Sequence, residues 1–316
     1  MCTAVRFTDQ QGNLYFGRNL DWSCGYGQRV VITPTGWKPN SPFGATTAVK
    51  HPVYGMGIVA ENTPLYFDCA NDAGLAVAGL NFPGYACYEK QAVEGKVNVA
   101  AWEFPLWIAA SFANVDEVEE ALAHTAIVDS PINDQFPSSL LHWIIGDATR
   151  SIVVEYMADG MHVYHDDFDV LANQPTFAYH AENVRSYLNC SPEVVGPTRW
   201  REATLAAFGS GSGMRGIPGD CYSPSRFVRV AYHNAFYPDQ VGEAKNVSRL
   251  FHTLGAVAMV DGAAKMTDGA FEITVYTGGI STATNSYYYN TYDDPAIVSV
   301  ALADHDSTGS ELIEVA

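Results

Sequence analysis

Residues 1–23 read MCTAVRFTDQQGNLYFGRNLDWS. Cys2 to Thr8 is a short run of β-formers, Gln10-Gln11-Gly12-Asn13 carries turn chemistry, and Leu14 to Asn19 returns, which predicts a hairpin. That hairpin lays Arg18-Asn19-Leu20-Asp21 alongside Cys2. An initiator Met is trimmed when the following residue is small, and Cys qualifies. Trimming leaves a thiol and a free α-amine on one carbon. Such an amine has a pKa of about 7.7–8.0. It can take the thiol proton near neutral pH and act as a built-in general base, with no catalytic His required. Arg18 would favour thiolate over thiol, and Asp21 could hold the α-ammonium. The plainer reading is a small buried Cys opening a strand, with a surface Arg–Asp pair of little energetic value.

Composition narrows the function classes. The chain has 316 residues, with 17 Lys and Arg against 35 Asp and Glu, a formal net charge of −18. Such acidity argues against nucleic acid and against an anionic membrane surface as partners. Hydrophobic residues make up 47% and charged residues 16%, enough apolar material for a sizeable core and too much for disorder. No apolar run reaches the length of a transmembrane helix. Met1 to Asn13 has no basic stretch followed by an apolar one, so no signal peptide is expected and the reading is cytoplasmic. Cysteines lie at 2, 24, 69, 87, 190 and 221, with no CxxC pair. Neither a zinc site nor a disulfide framework is indicated, and in a reducing cytosol most of them should be buried thiols. No cofactor is called for.

Further strands are predicted at Arg29–Thr33, Met56–Ala60, Tyr66–Ala70, Leu75–Asn81, Leu141–Gly146, Ser151–Met157, Met161–His165, Phe271–Thr277, Ser286–Tyr292 and Ile297–Ala303. Helices are predicted over Trp102–Phe112, Asp116–His124 with Asn114 as N-cap, Pro224–Phe236 and Glu243–Met259. The stretch 190–220 is rich in Gly, Ser and Pro and reads as loop. Strands at both ends with helices between them imply two sheets covered by helices in one domain spanning 1–316.

The opening segment resembles the start of the choloylglycine hydrolase family, which contains bile salt hydrolases and penicillin V acylases and belongs to the N-terminal-nucleophile hydrolases. The resemblance continues through PLYFDCANDAGLAVAGLNFPGYA at 64–86, LANQPTFAYH at 171–180 and GIPGDCYSPSRFVRVAY at 216–232. It is weaker through FEITVYTGGISTATNSYYYNTYDD at 271–294. It implies an α+β fold, a four-layer αββα sandwich with two antiparallel sheets between helix layers. It also implies Cys2 as nucleophile beside Arg18 and Asp21. By the same likeness Asn81 and Asn173 form the oxyanion hole, and Arg226 is a further active-site arginine. Asn side chains are suitable neutral donors to a developing oxyanion. Taken without the resemblance, Asn81 and Asn173 read as turn formers and Arg226 as part of a surface ion pair.

Within the family, Asn81-Phe82-Pro83-Gly84 resembles the bile salt branch, since penicillin V acylases usually place a Tyr near the Asn81 position. The expected reaction is hydrolysis of the amide joining a steroid acid to glycine or taurine. The alternatives are a penicillin V or N-acyl homoserine lactone acylase, and a non-catalytic binding or assembly protein on the same sandwich. A large amphipathic substrate needs an apolar, loop-lined pocket. Leu20, Tyr26, Ile132, Phe136 and Leu141 are candidates, each also readable as core. The region Gly209–Asp220 resembles a protruding segment used for subunit contact in family tetramers, so a homo-oligomer, a tetramer, is expected.

Four other features carry less. His162 and His165 are three apart on a predicted strand and so face opposite sides, which suits an edge pair better than a metal. Asp166-Asp167-Phe168-Asp169 reads as a solvated acidic turn. Gly209–Gly213 lacks the Lys-Ser/Thr of a phosphate loop. Tyr287-Tyr288-Tyr289 alternates on a strand and reads as packing. No metal site is expected.

Overall fold

The structure is a computed structural model and describes residues 1–315. The first two strands are β1 (Cys2–Thr8) and β2 (Leu14–Trp22). Their turn is local chemistry. The Asp9 carboxylate accepts the backbone N–H groups of Gln11 and Asn13 at 2.9 Å each, and Gly12 takes the left-handed conformation. β2 runs to Trp22, past the expected end at Asn19, so Asp21 as well as Arg18 lies on the return strand itself.

Next come β3 (Arg29–Thr33), β4 (Val53–Ala60), β5 (Thr63–Asn71), β6 (Ala76–Asn81) and β7 (Val97–Ala100), then the helices α1 (Phe104–Ser111) and α2 (Val115–Leu122). They are followed by β8 (Thr125–Val128), β9 (Leu141–Gly146), β10 (Ser151–Met157), β11 (Gly160–His165), β12 (Val170–Leu171) and α3 (Phe177–Val184). The hairpin β13 (Thr198–Trp200) and β14 (Ala203–Leu205) precedes α4 (Ser223–Phe236) and α5 (Glu243–Gly255). The chain closes with β15 (Ile273–Ser281), β16 (Ser286–Thr291), β17 (Val298–Ala301) and β18 (Ile313–Val315).

Two large antiparallel sheets result. One is six-stranded, in the order β12-β1-β2-β15-β16-β17, and the other eight-stranded, in the order β11-β10-β9-β6-β5-β4-β3-β18. β15, from the far end of the chain, pairs with β2, and Gly278 stands opposite Arg18. The inner core lies between the sheets and under α4 and α5, with Tyr54, Met56, Ile144 and Val153 from one side and Phe16, Ile280 and Tyr287 from the other. A second core fills the outer face of the eight-stranded sheet, where Trp143, Ile145 and Val154 meet Phe104, Trp107 and Ile108 of α1. The layers are therefore helix, sheet, sheet, helix, the α+β sandwich expected from the sequence.

Some local expectations are corrected. The helix expected to reach Met259 stops at Gly255, because the Met259 amide is drawn to the Thr274 hydroxyl at 2.7 Å. The 190–220 stretch contains the β13–β14 hairpin. Only Cys2 and Cys69 are buried cysteines. Asp166 is buried rather than solvated. It accepts the backbone N–H groups of Phe168 and Val170 at 2.9 Å each, while Asp169 pairs with Arg6. The elements α3, β7, β8, β12 and β18 were not predicted. They are two to eight residues long, too short for periodicity to register. His162 and His165 do lie on an edge strand, and each meets a nearby aspartate, Asp159 and Asp167 respectively.

Phe104 is fully buried, with its ring centroid 4.5 Å from that of Trp143. Phe104→Ala should lower the unfolding free energy by about 3–5 kcal/mol, read from urea denaturation at fixed pH.

Candidate active site

The β1–β2 register sets Cys2 opposite Leu20 and carries Arg18 into the layer between the sheets. Arg18 Nη2 lies 2.6 Å from Cys2 Sγ. Its Nη1 donates to the Gly79 carbonyl at 2.8 Å and the Phe67 carbonyl at 3.2 Å. Both acceptors belong to the opposite sheet. The guanidinium therefore spans the two sheets with its charge beside the sulfur.

The Cys2 nitrogen is held as firmly. Its N–H donates to Asn173 Oδ1 at 2.5 Å, and Asn173 Nδ2 donates to the Asn81 carbonyl at 2.7 Å. Arg226, from the first turn of α4, is fully buried rather than on a helix surface. Its Nη2 donates to Asn173 Oδ1 at 2.8 Å, and its Nη1 to the Cys2 carbonyl at 2.5 Å and to the Thr3 hydroxyl. Pro224 at the helix start presets this turn. Desolvation pulls Arg226 below the ordinary guanidinium range, against the opposing pull of Asp21 and Cys2.

Asp21 is buried. Its Oδ1 accepts from the Thr274 hydroxyl at 2.6 Å, and its Oδ2 has no partner. Burial pushes its carboxyl up, while Arg226 and the terminal ammonium pull it down. Met1 is in place, and its ammonium sits 2.6 Å from the Asp21 carbonyl and 2.9 Å from Glu272 Oε1. The terminal charge thus rests on the main chain of Asp21 and on Glu272, which no sequence pattern had indicated. All six residues singled out from the sequence, Cys2, Arg18, Asp21, Asn81, Asn173 and Arg226, fall into one cluster.

The apolar candidates divide. Leu20 is 8% exposed and packs in the inner core. Leu141 is on β9, opposite Asn81. Tyr26 is 49% exposed and meets Phe67 edge-on, with ring centroids 5.7 Å apart. Leu20 and Leu141 thus stand opposite Cys2 and Asn81 in their respective sheets. Ile132 and Phe136 sit on a separate turn, closed by a 3.2 Å bond from the Ile132 N–H to the Phe136 carbonyl and tied through Asn133 to Glu61.

Two buried histidines behind the asparagines were not anticipated. His180 Nε2 lies 2.7 Å from the Asn173 carbonyl, which places the ring proton on Nε2. The ring stacks on Phe227 at 4.8 Å. His142 stacks on Phe82, next to Asn81, at 4.1 Å and faces Glu155 at 3.2 Å. Glu155 Oε1 in turn accepts the Phe177 N–H at 2.8 Å. The only sequence signal for His180 is its helical spacing from Phe177, and that spacing reads as core. Among the described residues, no group of three or more His, Cys, Asp or Glu is placed to hold a metal ion, and no helix is long and apolar enough to cross a membrane.

A family model described as linear amide C–N hydrolases, choloylglycine hydrolase family, matches residues 2–314. The chain is 61% identical to a bile salt hydrolase/transferase of Bifidobacterium longum subsp. longum, over 100% of both chains. Its structure resembles that of the C2A mutant of conjugated bile acid hydrolase from Clostridium perfringens, with a TM-score of 0.92 and 34% identity, covering 100% of this chain and 97% of the other. It also resembles penicillin V acylase from Agrobacterium tumefaciens, with a TM-score of 0.77 and 17% identity over 98% and 90% of the two chains, a likeness of fold alone.

Burial pushes His180 down to about 4. The folded state then binds fewer protons than the unfolded chain between about pH 6.5 and pH 4, so stability drains away as pH falls through that window. The full effect is about 3 kcal/mol. Chemical denaturation at pH 7, 5.5 and 4.5 should show this loss, and His180→Gln should flatten it.

Proposed function

The chain belongs to the choloylglycine hydrolase family, and from that premise we propose that it hydrolyses the amide joining glycine or taurine to a bile acid. The observation that carries this reading is Cys2, with Arg18 2.6 Å from its sulfur and Asn173 2.5 Å from its nitrogen. Excision of Met1 turns that nitrogen into a primary amine. The amine takes the thiol proton, and the thiolate adds to the amide carbonyl. The oxyanion is received by the Asn81 and Asn173 amides. Asp21, whose Oδ2 is unpartnered, steadies the α-ammonium. The ammonium proton passes to the leaving nitrogen, the C–N bond breaks, and an acyl thioester remains on Cys2. Water gives a proton to the amine as it adds to the thioester, the C–S bond breaks, and the bile acid departs.

The apolar steroid body is assigned to the surface formed by Leu20, Tyr26 and Leu141, with Ile132 and Phe136 on the outer turn. The net charge of −18 opposes approach of an anionic substrate over long range, and Arg18 and Arg226 are buried, so recognition must rest on short-range contacts. Penicillin V and N-acyl homoserine lactones are the alternative substrates. The Asn81-Phe82-Pro83-Gly84 sequence and the 61% identity to a bile salt hydrolase/transferase favour conjugated bile salts.

The working form is read as a cytoplasmic homotetramer of one catalytic domain, residues 1–316. The β13–β14 hairpin supports the assembly. Trp200 is 72% exposed, and Leu205 and Phe208 lie open beside it, an apolar patch of the kind that oligomers cover.

The mature protein should show an intact mass lacking Met1, and it should turn over taurocholate faster than penicillin V. Cys2→Ala should abolish both turnovers; full activity in that variant, or faster turnover of penicillin V, contradicts the reading. Trp200→Asp combined with Phe208→Asp should lower the particle mass in light scattering from four subunits toward one.

A further inference from the structure

Arg18 is fully buried, yet its N–H groups reach only the carbonyls of Asn19, Phe67 and Gly79 and the Cys2 sulfur. None of these is a carboxylate. A guanidinium enclosed in a dry layer needs a counter-charge. The acid in position to supply one is Asp68, the residue after Phe67 and fully buried itself. Asp68 Oδ1 accepts from Tyr276 Oη at 2.5 Å and its Oδ2 from Tyr287 Oη at 2.6 Å. Asp68 stands on the eight-stranded sheet and both tyrosines on the six-stranded one, so the three side chains bridge the sheets beside Arg18. Gly278, opposite Arg18 on β15, makes the bridge possible. A Cβ there would come 2.1 Å from Tyr287 Oη and 3.0 Å from the Tyr276 ring.

The charges fit this arrangement. Burial pushes the Asp68 carboxyl up, while Arg18 and the two phenols pull it back. Burial and Asp68 together hold both tyrosines well above their usual range, so they stay neutral. Both Asp68 oxygens accept from phenol donors, the geometry of a carboxylate, and so Asp68 is the acid that balances Arg18 from within the bridge.

Building on the assignment of Cys2 as nucleophile, we propose that Asp68 is a positioning residue. Its carboxylate, clamped by Tyr276 and Tyr287, keeps Arg18 between the sheets with Nη2 on the Cys2 sulfur. It also moderates how strongly that cation favours thiolate. A weaker hold would misplace the cation. A cation with no counter-charge would favour a thiolate of lower nucleophilicity, since thiolate nucleophilicity falls with basicity. Other groups face Cys2 as well: the α-amine and Asp21 on its own hairpin, Arg226 from α4, Glu272 before β15, and Tyr26 from the β2–β3 loop. None of them touches the Asp68 bridge.

The test is the pH dependence of Cys2 alkylation by iodoacetamide in the mature enzyme. It is followed on the Cys2 peptide by mass spectrometry, because Cys24 and Cys87 are exposed. Asp68→Asn removes a negative charge and should move the pH of half-maximal alkylation down by about one unit, within the range expected for loss of a nearby charge. Tyr287→Phe keeps the carboxylate and should move it less than half as far. A folded Asp68→Asn enzyme whose alkylation profile overlays the wild type overturns the proposal. Should Asp68→Asn fail to fold, thermal melts of Arg18→Gln and of the Arg18→Gln/Asp68→Asn double variant decide. Without Arg18 the Asp68 charge has no counter-charge, so the double variant should melt above Arg18→Gln alone; melting below it overturns the proposal. Turnover that survives Cys2→Ala condemns the functional reading instead, and these outcomes are separate.

Discussion

A buried guanidinium holds the centre of this molecule. Arg18 starts on a strand of one sheet, donates from Nη1 to two carbonyls of the other, and turns Nη2 to the Cys2 sulfur. A charge enclosed that deeply tolerates few alternative arrangements, because every lost partner leaves desolvation uncompensated. Packing the two sheets therefore also aims the cation. The same contacts that define the inner layer define the environment of the sulfur, so fold and chemistry cannot be varied independently here.

A second network fixes the nitrogen side of Cys2. Asn173 accepts from both the Cys2 N–H and Arg226, and its own amide bridges to the Asn81 carbonyl. Behind Asn173 stands His180, neutral and stacked on Phe227. Polar groups in such a layer are costly unless satisfied, and those closest to Cys2 find partners. The exceptions are instructive. Asp21 Oδ2, Glu272 Oε2 and His180 Nδ1 are buried without partners; the Met1 ammonium meets Glu272 through Oε1 and Asp21 through its main-chain carbonyl.

The surface tells a different story from the interior. The chain carries a formal excess of 18 negative charges, while the two arginines nearest the sulfur are hidden. Recognition of an amphipathic anion must then rest on apolar contact and on short-range hydrogen bonds rather than on steering, and the open aromatic face of Tyr26 is consistent with that.

Much of the architecture was legible before any coordinates. Gln10-Gln11-Gly12-Asn13 marks its own turn, Asn114 caps α2 by accepting the Glu117 N–H at 3.0 Å, and Pro224 opens α4. These are interactions among residues two to four apart, so nearby sequence encodes them. Motif likeness brought forward Asn81, Asn173 and Arg226. Composition and periodicity could not have done so, since an Asn before a turn and an Arg on a helix look ordinary. Asp68, Glu272, His142 and His180 stayed hidden for the same reason. Tyr287 meets Asp68 across 219 positions of chain and Arg226 meets Cys2 across 224. The chain's own text settles where strands and turns form, because those depend on neighbours. Which buried charge faces which depends on how two sheets stack, and no local pattern carries that information.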